Sequence, residues 1–216
     1  MKRRLFIVED HVVVREGYVS LINSEPDLEV CGEAASAEEA FDMAADLAYD
    51  LAIVDLSLPG VNGVELIKRL RSYDEDAQVL VVSAHDEALY AERALRAGAR
   101  GYLMKRETGE QFLDAIHRVL DGDIYLSDAI RKRFLDEQFG FSEDSASGVE
   151  SLTDREIEVF EHFGRGESTR EVADALGLSH KTIESHRTNI KQKLGIDGAA
   201  EFTRRAVLWV EAPLTK

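Results

Sequence analysis

Glu9 and Asp10 close the apolar run LFIV at 5–8, Asp55 closes LAIV at 51–54, Ser83 closes VLVV at 79–82, and Lys105 follows GYL at 101–103. Runs of that kind form strands buried on both faces, and an ionised group at the end of one is costly unless it is paired or metal-bound. Three carboxylates brought together repel, and a divalent cation offsets that repulsion. Mg2+ takes oxygen ligands in octahedral geometry and keeps several waters, so carboxylates and one backbone carbonyl suit it. A lysine ammonium and a serine hydroxyl beside it supply a charge and a donor for an anion. The set suits phosphoryl transfer, in which positioning and charge neutralisation do most of the catalysis and a carboxylate can be the nucleophile. Taken singly, each residue reads equally as a solvated strand end. Taken together, the five have the chemical types that Mg2+ and a phosphoryl group require.

The elements that must position them follow from periodicity. Strands are expected at 5–8, 28–30, 51–54, 79–82 and 101–103, with helices of three- and four-residue apolar spacing near 12–23, 36–48, 63–72, 86–97 and 107–120. Five such β-α units predict an α/β fold, a doubly wound parallel five-stranded sheet with helices on both faces. Ligands of such sheets bind outside the carboxyl ends of the strands, where all five polar side chains are expected.

After Gly122 the rhythm changes. An extra helix is expected over 127–138, and FGFSEDSASGVE at 139–150 has the small, polar, acidic composition of a linker. Beyond it the pattern is helical. Thr153 to Glu156 and Ser168 to Glu171 are both S/T-x-x-E capping boxes, Ser179 caps a third helix to 194, and a fourth spans 198–211. The short turn Leu176-Gly177-Leu178 gives helix-turn-helix organisation. On the helix 179–194, Ile183, Ile190 and Leu194 share one face; Lys181, Ser185, Thr188 and Gln192 lie opposite, with Glu184 and Lys191 beside them. Such donors and acceptors read base edges or hold phosphates, although a polar face is also the norm on any surface helix.

Charge separates the two halves. The net charge is −16, with 13 basic and 25 acidic side chains over 1–125 but 10 and 11 over 151–216. Acidic chains are poor general binders of nucleic acid, so DNA contact has to come from a local basic surface in the last third. The helix 179–194 is that surface: Lys181, Arg187, Lys191 and Lys193 oppose Glu184 alone. The single cysteine, Cys31, excludes an internal disulfide framework. The apolar start is too short for a signal peptide, and no apolar run approaches the roughly 20 residues of a membrane span, so a cytoplasmic location with no membrane partner is expected.

The motifs IVEDH (7–11), VDLSLPGVNG (54–63), VSAHD (82–86) and GYLMK (101–105) together resemble a response-regulator receiver domain. The resemblance implies that Asp55 accepts a phosphoryl group from a sensor histidine kinase. Glu9, Asp10 and Asp55 with the backbone carbonyl of Ser57 would hold Mg2+, and Ser83 and Lys105 would contact phosphoryl oxygens. Tyr102 would be the aromatic whose orientation follows phosphorylation, or else simple packing. The side chains of Ser57 and His85 occupy positions where the family tunes phospho-aspartate lifetime, or face solvent.

The last third, through LTDREIEVF, GRGESTREVADALGLS and KTIESHRTNIKQKLG, resembles the LuxR-type helix-turn-helix of NarL/FixJ response regulators. That implies that Glu184, Ser185 and Thr188 face base edges while Lys181, Arg187 and Lys191 take phosphates; His186 does either or packs internally. The helix bearing Phe202, Ala206 and Trp209 is then a dimer surface, or closes its own small core. The resulting expectation is a receiver over 1–122, a linker with an extra helix over 123–150, and a smaller all-α helix-turn-helix domain over 151–216. The whole would be a phosphorylation-dependent transcriptional regulator that binds promoter DNA, dimerises when phosphorylated, and is no enzyme beyond Mg2+-dependent self-phosphorylation and dephosphorylation at Asp55. Two other readings stand beside it. A phospho-aspartyl hydrolase would resemble D-x-D, but Ser57 holds the second position; alternatively, the first domain works as an interaction module without phosphorylation.

Overall fold

Strand β3 (Leu51–Val54) lies at the centre of the five-stranded sheet, with β1 (Arg3–Val8) and then β2 (Leu28–Ala34) on one side and β4 (Gln78–Ser83) and then β5 (Gly101–Met104) on the other. Every pairing is parallel. The computed structural model describes residues 2–59, 61–74, 76–138 and 148–211. Contacts divide the chain into two units, Met1–Ser142 and Glu143–Lys216.

The first unit places α1 (Val12–Ser24), α2 (Ala37–Ala44), α3 (Gly63–Tyr73), α4 (Glu87–Ala97) and α5 (Gly109–Leu120) between and after the strands, with α6 (Asp128–Gln138) at its end. Alternate strand residues Leu5, Ile7, Ile53, Leu80 and Val82 pack with Ile22 of α1 and Phe112, Ile116 and Val119 of α5 in one core layer. Their neighbours Phe6, Val8, Ala52, Val54, Val79 and Val81 are equally buried. Burial on both faces explains why these strands read as unbroken apolar runs. The chain leaves β1 to pair on one side and then the other, so the carboxyl ends of β1 and β3 flank the point where strand order reverses.

Two elements differ from the periodicity. β2 continues past residue 30 to Ala34, because a register shift between Leu5 and Phe6 lets Gly32, Glu33 and Ala34 pair with Phe6, Ile7 and Val8. α2 ends at Ala44 rather than 48: the N–H groups of Asp46 and Leu47 both turn back to the Met43 carbonyl, and Tyr49 then packs 5.6 Å from Phe6. The apolar residues that prolong the helical pattern thus belong to a turn that covers β1 and β2. α5 opens on a capping box between Thr108 and Gln111, a start signal the sequence reading passed over.

The extra helix is α6, and it packs within the first unit. Tyr125 bridges to Gly101 on the edge of β5, the Tyr102 N–H donates to the Tyr125 carbonyl (2.9 Å), and the Ser127 N–H donates to Glu87 Oε1 (2.8 Å). Arg133 Nη1 donates to the Ala88 carbonyl at 2.6 Å. The expected linker falls largely on 139–147, outside the described residues.

The second unit contains a 3-10 turn (Val149–Ser151), then α7 (Asp154–Gly164), α8 (Thr169–Ala175), α9 (His180–Leu194) and α10 (Ala199–Glu211). The capping boxes at Thr153 and Ser168 are formed, and Ser179 caps α9. α7 and α10 cross closely at Gly164, where a Cβ would lie 2.5 Å from the Ala206 carbonyl oxygen. Phe202 stands edge-on to Phe160 and Phe163, and Trp209 lies 5.5 Å from Phe160. Phe202 and Ala206 are therefore buried in the unit's own core rather than presented as a dimer face; among the described residues Leu208 and Val210 are the large exposed apolar residues of α10. Among the described residues no helix is long and apolar enough to cross a membrane.

Candidate functional site

The parallel ladder carries the acidic residues to one level. The Asp55 N–H donates to the Val8 carbonyl at 2.9 Å, extending the β1–β3 pairing by one residue and setting Asp55 beside Glu9. On the other side, the Lys105 N–H donates to the Ser83 carbonyl at 2.8 Å. Glu9 and Asp55 are each 2 % exposed. Lys105 Nζ lies 2.6 Å from Glu9 Oε2 and 2.9 Å from Asp55 Oδ2. Asp55 Oδ1 is buried and accepts no hydrogen bond among the described residues.

Burial, and after it the charge of Asp55, push the Glu9 carboxyl above its ordinary value against the opposing pull of Lys105. Burial would lower the Lys105 ammonium, but Asp55 and Glu9 outweigh it and hold it above the ordinary lysine range. The cluster is thus a partly neutralised trio of carboxylates: Glu9 Oε2, Asp10 Oδ1 and Asp55 Oδ1 are all buried without a hydrogen bond among the described residues, but the first lies against Lys105 and the second against His11. Ligand atoms of Glu9, Asp10, His11 and Asp55 all lie within 4.8 Å of one another. That donor set fits a small divalent cation.

Asp10 is partly exposed and receives His11, whose Nδ1 is 2.8 Å from Asp10 Oδ1 and 3.0 Å from Glu9 Oε1. Arg15 Nη1 donates to the Glu9 carbonyl at 2.6 Å. His11 and Arg15 were not singled out by sequence reasoning, although the run Glu9-Asp10-His11 put an imidazole directly beside the acid pair.

Ser83 is buried, and its hydroxyl accepts the His85 N–H. His85 is buried too: its Nε2 meets the Ser57 hydroxyl at 3.0 Å, its carbonyl accepts from Tyr102 Oη at 2.9 Å, and its ring stacks on Tyr90 of α4. Neither Ser57 nor His85 is a solvent-facing bystander. Tyr102 is 1 % exposed, so it combines packing with a specific bond. Gly63 at the start of α3 permits the close return of the loop after Asp55: a Cβ there would sit 2.4 Å from the Asp55 carbonyl oxygen.

In the second unit, Ile183, Ile190 and Leu194 turn α9 inward, leaving Lys181, Ser185, Thr188, Asn189 and Gln192 exposed. Arg187 departs from its expected role as a phosphate contact. Its guanidinium sits 5.2 Å from the ring centroids of both Phe163 and Phe202, with the side chain only 21 % exposed, because position 187 falls on the same helical face as Ile183 and Ile190. His186 takes the internal-packing option in part: it is half-buried, and burial followed by the nearby Arg155 charge hold its imidazole below the usual histidine range. Glu184 accepts from Thr169 Oγ1 at 3.0 Å and lies 3.6 Å from Arg187. Lys191 is half-buried and Lys181 exposed.

Comparison with known proteins matches each unit to a family. Residues 5–117 match the response regulator receiver domain, and residues 150–206 match the bacterial regulatory proteins of the luxR family. The transcriptional regulatory protein UhpA of Escherichia coli K12 is 36 % identical over 200 residues, covering 92 % of this chain and 95 % of UhpA. The oxygen regulatory protein NreC of Staphylococcus carnosus is 30 % identical over 209 residues, covering 94 % and 96 %. A crystal structure of a LuxR-family two-component response regulator from Aurantimonas sp. SI85-9A1 is 34 % identical with a TM-score of 0.60, spanning 64 % of this chain and 99 % of that one. RcsB of Salmonella enterica serovar Typhimurium, solved on promoter rprA with a phosphomimetic, shares the fold with a TM-score of 0.65 at 21 % identity, over 96 % and 99 % of the two chains.

Proposed function

The chain belongs to the two-component response regulators that join a receiver domain to a luxR-family DNA-binding domain and regulate transcription, and from that membership we propose that Asp55 is its phosphoacceptor and α9 its reader of promoter DNA. The observation that carries the first assignment is the buried, unengaged Oδ1 of Asp55 beside Lys105 and the Glu9–Asp10 pair.

The donor is the phosphohistidine of a sensor histidine kinase. Asp55 Oδ1 attacks phosphorus as the P–N bond breaks, the electron pair returns to the imidazole, and an acyl phosphate forms. Lys105 orients the carboxylate by holding Oδ2 and then pairs with a phosphoryl oxygen, while the Ser83 hydroxyl donates to another. Glu9, Asp10, Asp55 and the Ser57 carbonyl would hold Mg2+, which when bound neutralises charge on the transferring group. Attack by water on the same phosphorus returns the free carboxylate, so the chain turns over only its own phosphoryl group.

The phosphoryl state is conveyed by Ser83, His85 and Tyr102, whose bonds run from the strand ends to Tyr90 on α4. It biases a two-state receiver, and the phosphorylated chain acts as a homodimer on DNA in the cytoplasm. The receiver is assigned to 1–122, the linker to 123–150 and the DNA-binding domain to 151–216. On α9, Lys181 and Lys191 hold phosphates and Ser185 and Thr188 line the groove.

Incubation with acetyl phosphate and Mg2+ tests the site. Intact-mass measurement is expected to show one phosphoryl adduct on the wild-type chain and none on Asp55→Asn; equal labelling of the two would overturn the assignment.

A further inference from the structure

The hydrogen bonds of α9 sort its groove-facing side chains by what each has left to offer a base. Ser185 Oγ donates to the Lys181 carbonyl at 3.0 Å, and Thr188 Oγ1 donates to the Glu184 carbonyl at 2.9 Å. Both hydroxyl protons are thereby engaged by the helix itself, leaving lone pairs and, on Thr188, a methyl group. The Glu184 carboxylate accepts from Thr169 of α8 and lies 3.6 Å from Arg187 on its own helix. Arg187 is held against Phe163 and Phe202, and Lys193 is held by Glu156 at 2.6 Å. Lys181 is exposed and carries the charge suited to phosphates.

Two carboxamides on this face remain with both a donor and an acceptor uncommitted. Asn189 and Gln192 are exposed, three residues apart, and their carboxamides make no hydrogen bond among the described residues. Gln192 lies diametrically opposite Ile183, Ile190 and Leu194, and Asn189 lies one turn beyond Ser185. A carboxamide is the group that matches the adenine edge in the major groove, accepting from N6 and donating to N7.

Resting on the reading of α9 as the DNA reader, we infer that Asn189 and Gln192 are the specificity-determining residues, each recognising adenine in an A·T pair. Ser185 and Thr188 then fill the groove as acceptors and apolar contacts. Lys181 contributes affinity that is blind to sequence. Residue identity along this helix therefore sets the preferred base at two nearby positions of each half-site, not the strength of binding in general.

The test is selection from a random duplex pool by the full chain treated with acetyl phosphate and Mg2+, with sequencing of bound molecules. The wild-type chain is expected to enrich a motif with fixed A·T pairs. Asn189→Ala should make one of those positions degenerate and Gln192→Ala another, each by a loss of discrimination on the order of 10-fold. Affinity for random duplex and the melting temperature should stay near wild type, as both side chains are exposed. Retention of every A·T preference in both carboxamide variants would overturn the inference while leaving α9 as the reader. Enrichment of no motif by the wild-type chain would overturn that reading, and this inference with it.

Discussion

Lys105 Nζ lies 2.9 Å from Asp55 Oδ2 while Oδ1 of the same carboxylate has no donor among the described residues, so one lysine both neutralises the proposed acceptor and leaves its other oxygen open. The same ammonium also reaches Glu9, and it therefore occupies carboxylate charge that a cation would otherwise use. Lys105→Ala is expected to move two measurements in opposite directions. Phosphoryl uptake from acetyl phosphate should fall on the order of 10²-fold with the loss of an oriented charge at the transferring group. Calorimetric titration should show Mg2+ binding more tightly, since a competing cation is gone. Uptake at the wild-type rate would contradict the proposed role of Lys105.

Gly63 makes a second prediction because its role is steric. A Cβ would meet the Asp55 carbonyl oxygen at 2.4 Å and Leu56 Cα at 2.6 Å, both backbone atoms that cannot rotate away. Gly63→Ala should therefore displace the segment that presents Asp55, costing about 1–3 kcal/mol in urea unfolding of the first unit and slowing phosphoryl uptake. Gly17, where added carbon meets nothing within 4 Å, is the control: Gly17→Ala should leave both unchanged or slightly improved.

The sheet and its acidic edge were legible because burial on both faces writes an unbroken apolar run, and a carboxylate at the end of such a run is conspicuous. Glu9, Asp10, Asp55 and Lys105 stood out for that reason, and the structure brings them together. What periodicity could not show was where a side chain is spent. Leu47 and Tyr49 continue a helical pattern yet form a turn, since the Met43 carbonyl captures two N–H groups in succession. Arg187 adds formal charge to a basic helix but lies between two phenylalanine rings, and Glu184 is held by a threonine fifteen residues earlier. Those partners are distant in sequence, so neither the charge count nor the family resemblance, which implied groove roles for both, could show them. The capping box at Thr108 was missed because glutamine, not glutamate, supplies its reciprocal bond.

The inward Arg187 separates stability from DNA affinity. Arg187→Met removes two cation–π contacts worth about 1–2 kcal/mol together and should lower the melting temperature of the second unit. The slope of DNA affinity against salt concentration should be unaltered, because no phosphate contact is lost. Lys181→Ala should do the reverse, leaving the melting temperature alone and reducing that slope by about one. A shallower salt slope in Arg187→Met would instead place Arg187 on the DNA backbone.

Glu156 links the first helix of the second unit to the recognition helix, and its protonation should be visible in stability. Burial raises its carboxyl, but the hydrogen bond from Lys193 (2.6 Å) and those of the capping box with Thr153 outweigh burial and hold it below the ordinary value of 4.5. A group that binds its proton more weakly when folded contributes stability that is complete above the unfolded value and is lost as pH falls through the folded one. Glu156→Gln should thus cost on the order of 1 kcal/mol at neutral pH, and the gap between variant and wild type should narrow as the solution is acidified below about 4.5. Trp209, the single tryptophan of the chain, packs on Phe160 of the same helix and reports unfolding of this unit by its fluorescence. A gap that stays constant between neutral and acid pH would show that the Glu156 charge contributes nothing to the pairing of α7 with α9.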